Sequence, residues 1–449
     1  MTDSTMQNRA SGALDRLIAR LRPHQLAIQL VVEALCVIAL APALLLARGF
    51  AWLPLLGLAL VLPLRVAVEN DLLPRPVAIP MLLWLATMGM ALAIGLQLQP
   101  APAWNRFWAL AFGVVVFGAI WNFAKFERAR LWMPILWLLV VFGVGLIGLY
   151  LVPANATNKI PILTDLFARI AGNSQSVQNT FHSEDGINPN ILAGLLMPAL
   201  FLPFALVMWL RTARPAWRIP ATIGLVFIGV VMFLSLVFSQ SRGGYLGFMA
   251  GAMALFAMRN RRSAWVALAI VIALVAGVLL ALPLLDVNAQ TYSNGRIDLW
   301  VRAIKMIGQF PITGVGLNMF GPVSELLYRD MLNGEPSLFH AHNMILQLWL
   351  DYGLFGLLAA LSVMALVWRA GLRGLRYFAQ TKDAFSLWVL RALMAGQVAW
   401  FVYNFTDYAN FGSKQGAIFW AAWGLILAVT FRAQTQEQPQ APSIPSNSL

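Results

Sequence analysis

The chain has one cysteine, four histidines and few charged residues among its 449 positions. A single cysteine, Cys36, excludes an internal disulfide framework and a site built from several thiolates. Charged residues make up only 11% of the sequence and hydrophobic residues 60%, which excludes an ordinary soluble domain of this size. The sequence also lacks a P-loop, a glycine-rich dinucleotide turn and an Asp-x-Asp pair, which argues against nucleotide use and against a metal-dependent nucleotide-sugar site.

Long apolar runs are present instead, and they predict an all-α polytopic membrane protein. A helix crosses a bilayer core about 30 Å thick with roughly 20 apolar residues, and about twelve runs meet this condition. The second and eighth runs are short for a complete span. The predicted spans are residues 26–47, 49–64, 77–96, 104–123, 131–152, 190–210, 219–238, 243–258, 263–285, 343–368, 386–405 and 415–431.

Lysine and arginine orient this stack, because short basic loops stay in the cytoplasm. With the amino end inside, basic residues of the inner loops outnumber those of the outer loops two to one, so both ends are expected in the cytoplasm. The net charge of +13 reflects this bias and gives no nucleic-acid signal. We expect three parts: residues 1–25 as a cytoplasmic amphipathic segment, 26–431 as the membrane domain and 432–449 as a disordered cytoplasmic tail.

Two long segments, residues 153–189 and 286–342, fall on the outer side in this topology. Loops of such length usually carry function. In the second segment, apolar residues recur at helical spacing from Ile297 to Ile307, and Pro311 with the following glycines ends that pattern. A second amphipathic stretch covers about residues 319–332. We expect two short helices that cover a cavity at membrane level.

Two arginines on the outer side suggest an anion site. Arg242 opens the eighth span after Ser241, where free helix N-terminal amides favour an anion such as phosphate. Glycines at 243, 247 and 251 would let a neighbouring helix approach closely. Arg296 follows Gly295 at the start of the loop helix, and a guanidinium matches phosphate oxygens bidentately. Arg242 is equally compatible with a side chain that reaches the lipid headgroups, and Arg296 with a solvated surface residue.

His342 stands at the head of the tenth span in Phe-His-Ala-His-Asn, two residues after His340. An ordinary imidazole titrates near pH 6.5, which suits a general base at neutral pH. The alternatives are a metal-binding His-x-His pair and a plain interfacial histidine. Asn343 begins a polar stripe at four-residue steps along this span, and it could support the site. Asp407 also emerges on the outer side and could orient an imidazole, although the pattern favours an ordinary loop charge.

The ordered motifs resemble one family. Ser241-Arg242-Gly243, Asn294-Gly295-Arg296, Gly314-x-Gly316 and His342-Asn343-x9-Gly353-x-x-Gly356 are similar, in order and spacing, to the bacterial O-antigen ligase (WaaL) and polymerase (Wzy) superfamily. The similarity covers about residues 235–356. The element around His342 is the most specific to the ligase branch, because the arginine motifs are short.

The resemblance implies a GT-C-like, metal-independent glycosyltransferase without cofactors at the periplasmic face of the inner membrane. Its donor would be a glycan on undecaprenyl diphosphate and its acceptor lipid A-core. By this resemblance Arg242 and Arg296 would bind the diphosphate, while His342 would deprotonate the acceptor hydroxyl for inverting transfer. An O-antigen polymerase, a protein O-oligosaccharyltransferase and, in another functional class, a lipid or solute transporter are the alternatives.

Overall fold

A computed structural model of the chain describes residues 77–123, 127–151, 188–281, 296–332, 340–407 and 416–436, with the single positions 31 and 162. All regular structure within these residues is helical. The predicted spans 26–47 and 49–64, the amino-terminal segment and nearly all of the loop 153–189 lie outside the described residues. The helices are α1 Ala78–Leu98, α2 Pro100–Phe123, α3 Glu127–Leu151, α4 Pro189–Leu196, α5 Leu202–Ala213, α6 Arg218–Phe238, α7 Arg242–Ala257, α8 Arg261–Ala281, α9 Arg296–Gln309, α10 Phe320–Leu327, α11 Met344–Thr381, α12 Ala384–Asn404 and α13 Ala417–Gln436.

Six of the described helices are long and apolar enough to cross a membrane. They are α1, α2, α6, α11, α12 and the Leu131–Leu149 part of α3, and their side chains turned away from neighbouring helices are largely apolar. Two shorter apolar helices, α5 and Ala417–Thr430 of α13, accompany them. The chain is therefore a multi-pass, all-helical membrane protein, as the composition predicted, while the count of twelve spans stays a prediction.

The predicted span 190–210 is wrong as a single helix. The structure has two helices here, α4 and α5, which are separated by five turn residues, 197–201. Pro198 falls in the turn and Pro203 in the first turn of α5. Each proline lacks a backbone N–H, and its ring clashes with the preceding turn of a continuing helix, so the apolar run breaks. At the other end of the chain, α13 extends to Gln436, beyond the predicted boundary at 431.

Helix α7 packs along α12 through its glycines. A Cβ atom added at Gly247 would lie 2.6 Å from the carbonyl oxygen of Ala399, and one added at Gly251 would lie 2.8 Å from that of Ala395. Only glycine allows the two backbones this close approach, so the predicted role of the glycine stripe is confirmed. The same packing holds the beginning of α7 against the end of α12.

Helix α11 is interrupted at Gly353, so the predicted span 343–368 is wrong as an uninterrupted helix. Gly353 has φ +69° and ψ −175°, and its Cβ would lie 1.8 Å from the carbonyl oxygen of Ile312. The loop after α9 enters this break: Leu354 N donates to Pro311 O (3.0 Å), and Val315 N donates to Leu350 O (2.7 Å). The loop helices α9 and α10 are thereby fastened to the first part of α11.

One end of the helix bundle collects the residues that the sequence singles out. Helices α7, α9 and α11 begin there with or just after Arg242, Arg296 and His342, and α12 ends there shortly before Asp407. The far ends of α7 and α11 lead instead to basic connections, at residues 259–262 and at Lys382. The fold therefore separates the candidate site from these basic loops by the length of a helix.

Candidate active site

The start of α11 is tied to the end of α12 through Asn343. The Asn343 side-chain oxygen accepts hydrogen bonds from the backbone N–H groups of Ile345 (3.0 Å) and Leu346 (3.1 Å), which makes Asn343 the N-cap of α11. Its amide nitrogen donates to the carbonyl oxygen of Phe405 at 3.1 Å. One capping residue thus holds His342 next to the segment that carries Asp407.

His340, His342 and Asp407 form one cluster. Nδ1 of His342 lies 3.2 Å from Oδ1 of Asp407, and Nε2 of His340 lies 3.6 Å from the same oxygen. The two imidazole rings are 4.2 Å apart between centroids. The Asp407 side chain is only 4% exposed, whereas those of His342 and His340 are 19% and 26% exposed. The carboxylate therefore lies beneath two rings that remain partly accessible.

Burial and mutual contact set the protonation states of Asp407 and His340. Burial alone would raise the pKa of Asp407, but the close contact with His340, the hydrogen bond with His342 and the positive charge of these rings when protonated lower that pKa well below its usual range. Burial lowers the pKa of His340, and the contact with Asp407 offsets this only in part. At neutral pH the cluster consequently holds an ionised carboxylate and a neutral His340.

The hydrogen bond to Asp407 also selects the tautomer of His342. Because Nδ1 faces an ionised carboxylate, the tautomer that donates Nδ1–H to Asp407 is favoured. Nε2 then carries a lone pair and is able to accept a proton. A histidine oriented in this way by a carboxylate is the arrangement that general-base catalysis requires.

His342 adopts a backbone conformation that non-glycine residues rarely adopt, with φ +48°. Such a conformation typically costs about 1–3 kcal/mol and persists where the surroundings enforce it. Ala341 N donates to Gln347 Oε1 at 2.8 Å, and Gln347 Nε2 donates to Asp351 Oδ1 at 2.8 Å. Asp351 also accepts from the backbone N–H of Asn318 at 3.2 Å. This buried chain fixes the residue between the two histidines and accounts for the polar stripe seen in the sequence.

Arg242 is the first residue of α7, and its side chain is exposed. Ser241 caps the helix by accepting a hydrogen bond from Gly244 N at 3.2 Å. A Cβ at Gly243 would lie 2.5 Å from Oγ1 of Thr406, the residue before Asp407. The helix N-terminus that the sequence marked as an anion site therefore abuts the segment that carries Asp407.

Arg296 is the first residue of α9 and is partly buried. Its charge lies within electrostatic range of the Tyr403 hydroxyl, and Tyr403 in turn interacts with Asp407. The structure thus joins His340, His342 and Asp407 directly. It links Arg242 to them through the start of α7 and Arg296 through Tyr403.

Two neighbours of this cluster were missed in the sequence. Arg106, in the first turns of α2, has a positive charge that reaches His340 and disfavours its protonation. It lies near the outer end of a predicted span, as Arg242 does, so the same topological argument would have found it. Tyr403 donates its hydroxyl to the carbonyl oxygen of Asn190 at 2.5 Å. Its position one helical turn before Asp407 was the available signal.

Comparison with known protein families adds a match to this geometry. Residues 227–361 match the family described as O-antigen ligase. The matched range contains Arg242, Arg296 and His342, whereas Asp407 lies beyond it. None of the curated proteins compared with the chain matches it. The match covers ligases and polymerases alike, and residues 227–361 of this chain are therefore similar to the O-antigen ligase and Wzy-like polymerase superfamily.

Proposed function

We propose that this protein is an O-antigen ligase, an inverting and metal-independent glycosyltransferase. It transfers O-antigen glycan from undecaprenyl diphosphate to the core oligosaccharide of lipid A at the periplasmic face of the inner membrane. The observation that carries the proposal is the pairing of His342 with the buried Asp407, whose segment lies against the N-terminus of the helix that Arg242 begins. This arrangement combines a proton acceptor with an anion site, and glycosyl transfer from a lipid diphosphate needs both.

His342 is the general base in this proposal. Nε2 takes the proton from the acceptor sugar hydroxyl, and the oxygen attacks the anomeric carbon from the face opposite the diphosphate. The bond between the anomeric carbon and the diphosphate oxygen breaks as the new glycosidic bond forms, so the configuration inverts. The Nδ1–H group stays bonded to Asp407, whose negative charge stabilises the imidazolium that forms.

Arg242 and Arg296 stabilise the leaving group. Departure of undecaprenyl diphosphate leaves an additional negative charge on the phosphate oxygens. Two guanidinium groups neutralise such charge with paired hydrogen bonds, and the N-terminus of α7, which begins with Arg242, adds positive potential.

The periplasmic orientation is supported by charge. The site lies at one end of the helices, while the loops at the other end of α7 and α11 contain Arg259, Arg261, Arg262 and Lys382. Short basic loops are retained in the cytoplasm. The opposite end, with His342, then faces the periplasm, where lipid-linked glycan and lipid A-core both lie within reach of a membrane-level site.

Purified protein in lipid nanodiscs tests the proposal directly. With donor lipid and lipid A-core, but no nucleotide or ion gradient, we expect glycan to appear on the core acceptor in the presence of a chelator. Lengthening of the lipid-linked glycan without transfer to core would indicate a polymerase. Transfer to a protein acceptor alone would indicate a protein O-oligosaccharyltransferase. Movement of lipid across the bilayer without any covalent product would indicate a transporter.

A further inference from the structure

We propose that His340, His342 and Asp407 also form a binding site for a zinc-like transition-metal ion, and that the bound ion inhibits the enzyme. Inhibition would follow because the ion occupies the His342 nitrogen that otherwise donates to Asp407. The metal-binding half of this inference is independent of the proposed function. The inhibitory half rests on the proposed function, since it concerns the role of His342 as a base.

The spacing of the three ligand atoms suits such an ion. Nδ1 of His342, Nε2 of His340 and a carboxylate oxygen of Asp407 all lie within 4.8 Å of one another. The two nitrogens are 3.2 and 3.6 Å from Oδ1 of Asp407. Ligands about 2.0–2.2 Å from a tetrahedral zinc ion are about 3.4 Å apart. Both nitrogen–oxygen separations are already close to this value, and the two nitrogens, which are within 4.8 Å of each other, would approach it when the imidazole rings rotate.

The same contacts that orient His342 prepare the metal site. Asp407 is almost fully buried, and the bond from Asn343 to Phe405 O holds the two chain segments together. The bond from Ala341 N to Gln347 fixes the residue between the two histidines. Both rings keep one partly exposed side, where water could complete the coordination sphere. Little ordering of the chain is therefore required when an ion binds.

The ligand types define the class of ion. Two imidazole nitrogens and one carboxylate favour Zn²⁺, Co²⁺ and their first-row neighbours, whereas Mg²⁺ and Ca²⁺ prefer oxygen ligands alone. Within the part of the chain that the structure describes, this is the one group of three or more His, Cys, Asp or Glu residues with such spacing. We therefore expect zinc and cobalt to bind, and magnesium and calcium to compete poorly.

Metal binding and base catalysis are mutually exclusive at His342. In the metal-free enzyme Nδ1 bears the proton and Nε2 bears the lone pair. A metal ion bound to Nδ1 of the neutral ring moves the remaining proton to Nε2. An Nε2–H group cannot accept a proton from the acceptor hydroxyl. One bound ion thus converts the base into a donor without displacing either substrate.

Cobalt binding to the full-length purified protein tests the first half. After chelator treatment and its removal, we expect Co²⁺ to give a saturable visible absorption band that Zn²⁺ abolishes. His340→Gln and Asp407→Asn should each weaken binding about tenfold or more, since losses of this size follow even when only an outer-sphere partner is removed. His24→Gln, which leaves all three proposed ligands unchanged, should bind as wild type. Unaltered affinity in His340→Gln, or no saturable binding by wild type, would overturn the proposal.

Thermal unfolding shows whether each variant is folded, so that weak metal binding is not mistaken for misfolding. Zn²⁺ should raise the Tm of wild type and of His24→Gln, because it binds the folded state. His340→Gln should show a cooperative transition that Zn²⁺ does not shift. An equal zinc-induced shift in His340→Gln would count against the three-residue site.

Inhibition tests the second half. In the transfer assay, Zn²⁺ should suppress wild-type activity, a chelator should restore it, and whatever activity His340→Gln retains should resist Zn²⁺. Activity that is unchanged or increased when cobalt spectra show a filled site would overturn the tautomer argument. If the wild-type protein binds metal but transfers no glycan, the proposed function is wrong and the metal site is retained. If it transfers glycan but binds no metal, the metal site is wrong and the proposed function is retained.

Discussion

Nδ1 of His342 lies 3.2 Å from Oδ1 of Asp407, a residue 65 positions further along the chain. Two helices bring these side chains together, because α11 begins and α12 ends at the same end of the bundle. The carboxylate is buried and its pKa lies well below the usual range, so it remains ionised wherever the enzyme works. A long-range contact between an anion and an imidazole is therefore built into the membrane domain.

Asp407→Asn should lower kcat by about 10²- to 10⁴-fold, the range that base catalysis typically contributes. A neutral amide does not stabilise the imidazolium of His342, and it does not select the tautomer that carries its proton on Nδ1. It changes the contacts with the substrates little. We therefore expect KM for the donor lipid to stay near the wild-type value. The acid limb of the pH–rate profile should move to lower pH, because less negative charge favours the neutral ring. A drop in expression and Tm with an unaltered profile would instead indicate a purely structural aspartate.

Arg296→Ala and Arg242→Ala should each lower kcat/KM by about 10²- to 10³-fold, the loss typical when one group that stabilises a developing negative charge is removed. The lysine variants should recover only a small part of this loss, because an ammonium group does not reproduce the paired hydrogen bonds of a guanidinium. Initial rates of glycan transfer measure the effect. Arg329→Ala, which removes an exposed arginine from the segment that follows the helix of Arg296, is the matched control and should retain most activity. Equal rates for the Lys and Arg forms would contradict bidentate binding.

Helix positions were largely predictable from the sequence, and the interruptions were not. Apolar length and helix-breaking residues located the described spans to within a few residues at most ends. The break at Gly353 was missed because the apolar run continues through it, and only the loop around Pro311 shows why a glycine is needed. The split between α4 and α5 was also missed, although Pro198 and Pro203 marked it.

The site residues that could be predicted are those that neighbouring sequence alone marks. His342, Arg242 and Arg296 stand out by their position at helix starts. The partner of His342 could not be chosen from the sequence, because Asp407 reads equally well as a loop charge and its approach depends on how α11 and α12 pack. The purpose of Gln347 and Asp351 was likewise hidden, since both bond to backbone groups of other segments.

Gly353→Ala should destabilise the protein strongly. Its φ of +69° strains any residue with a Cβ, and that atom would overlap the carbonyl oxygen of Ile312. Because the loop 310–316 is seated in this break, transfer activity should fall together with Tm. Gly89→Ala in α1 is the control: a Cβ there meets no atom within 4 Å, so Tm should be unchanged or slightly higher. Similar Tm values for both variants would contradict the kink as described.

His340→Gln should reduce the decrease in Tm that occurs when the pH is lowered from 7 to 5. Burial lowers the pKa of His340 in the folded protein, so between about pH 6.5 and that lower pKa the unfolded chain binds more protons than the folded one. The contribution to the free energy of unfolding from this group is consequently lost as pH falls below about 6.5. Glutamine does not titrate, and the Tm difference between pH 7 and pH 5 should shrink in chelator-containing buffer. An equal or larger difference in the variant would contradict the buried neutral imidazole.

The central claim is that His342 removes the proton from the acceptor hydroxyl. The measurement that tests it most directly is single-turnover glycan transfer to lipid A-core by purified His342→Ala, alongside binding of the undecaprenyl diphosphate-linked donor. We expect donor binding to persist while the transfer rate falls by about 10²- to 10⁴-fold. Transfer by His342→Ala at the wild-type rate would contradict it.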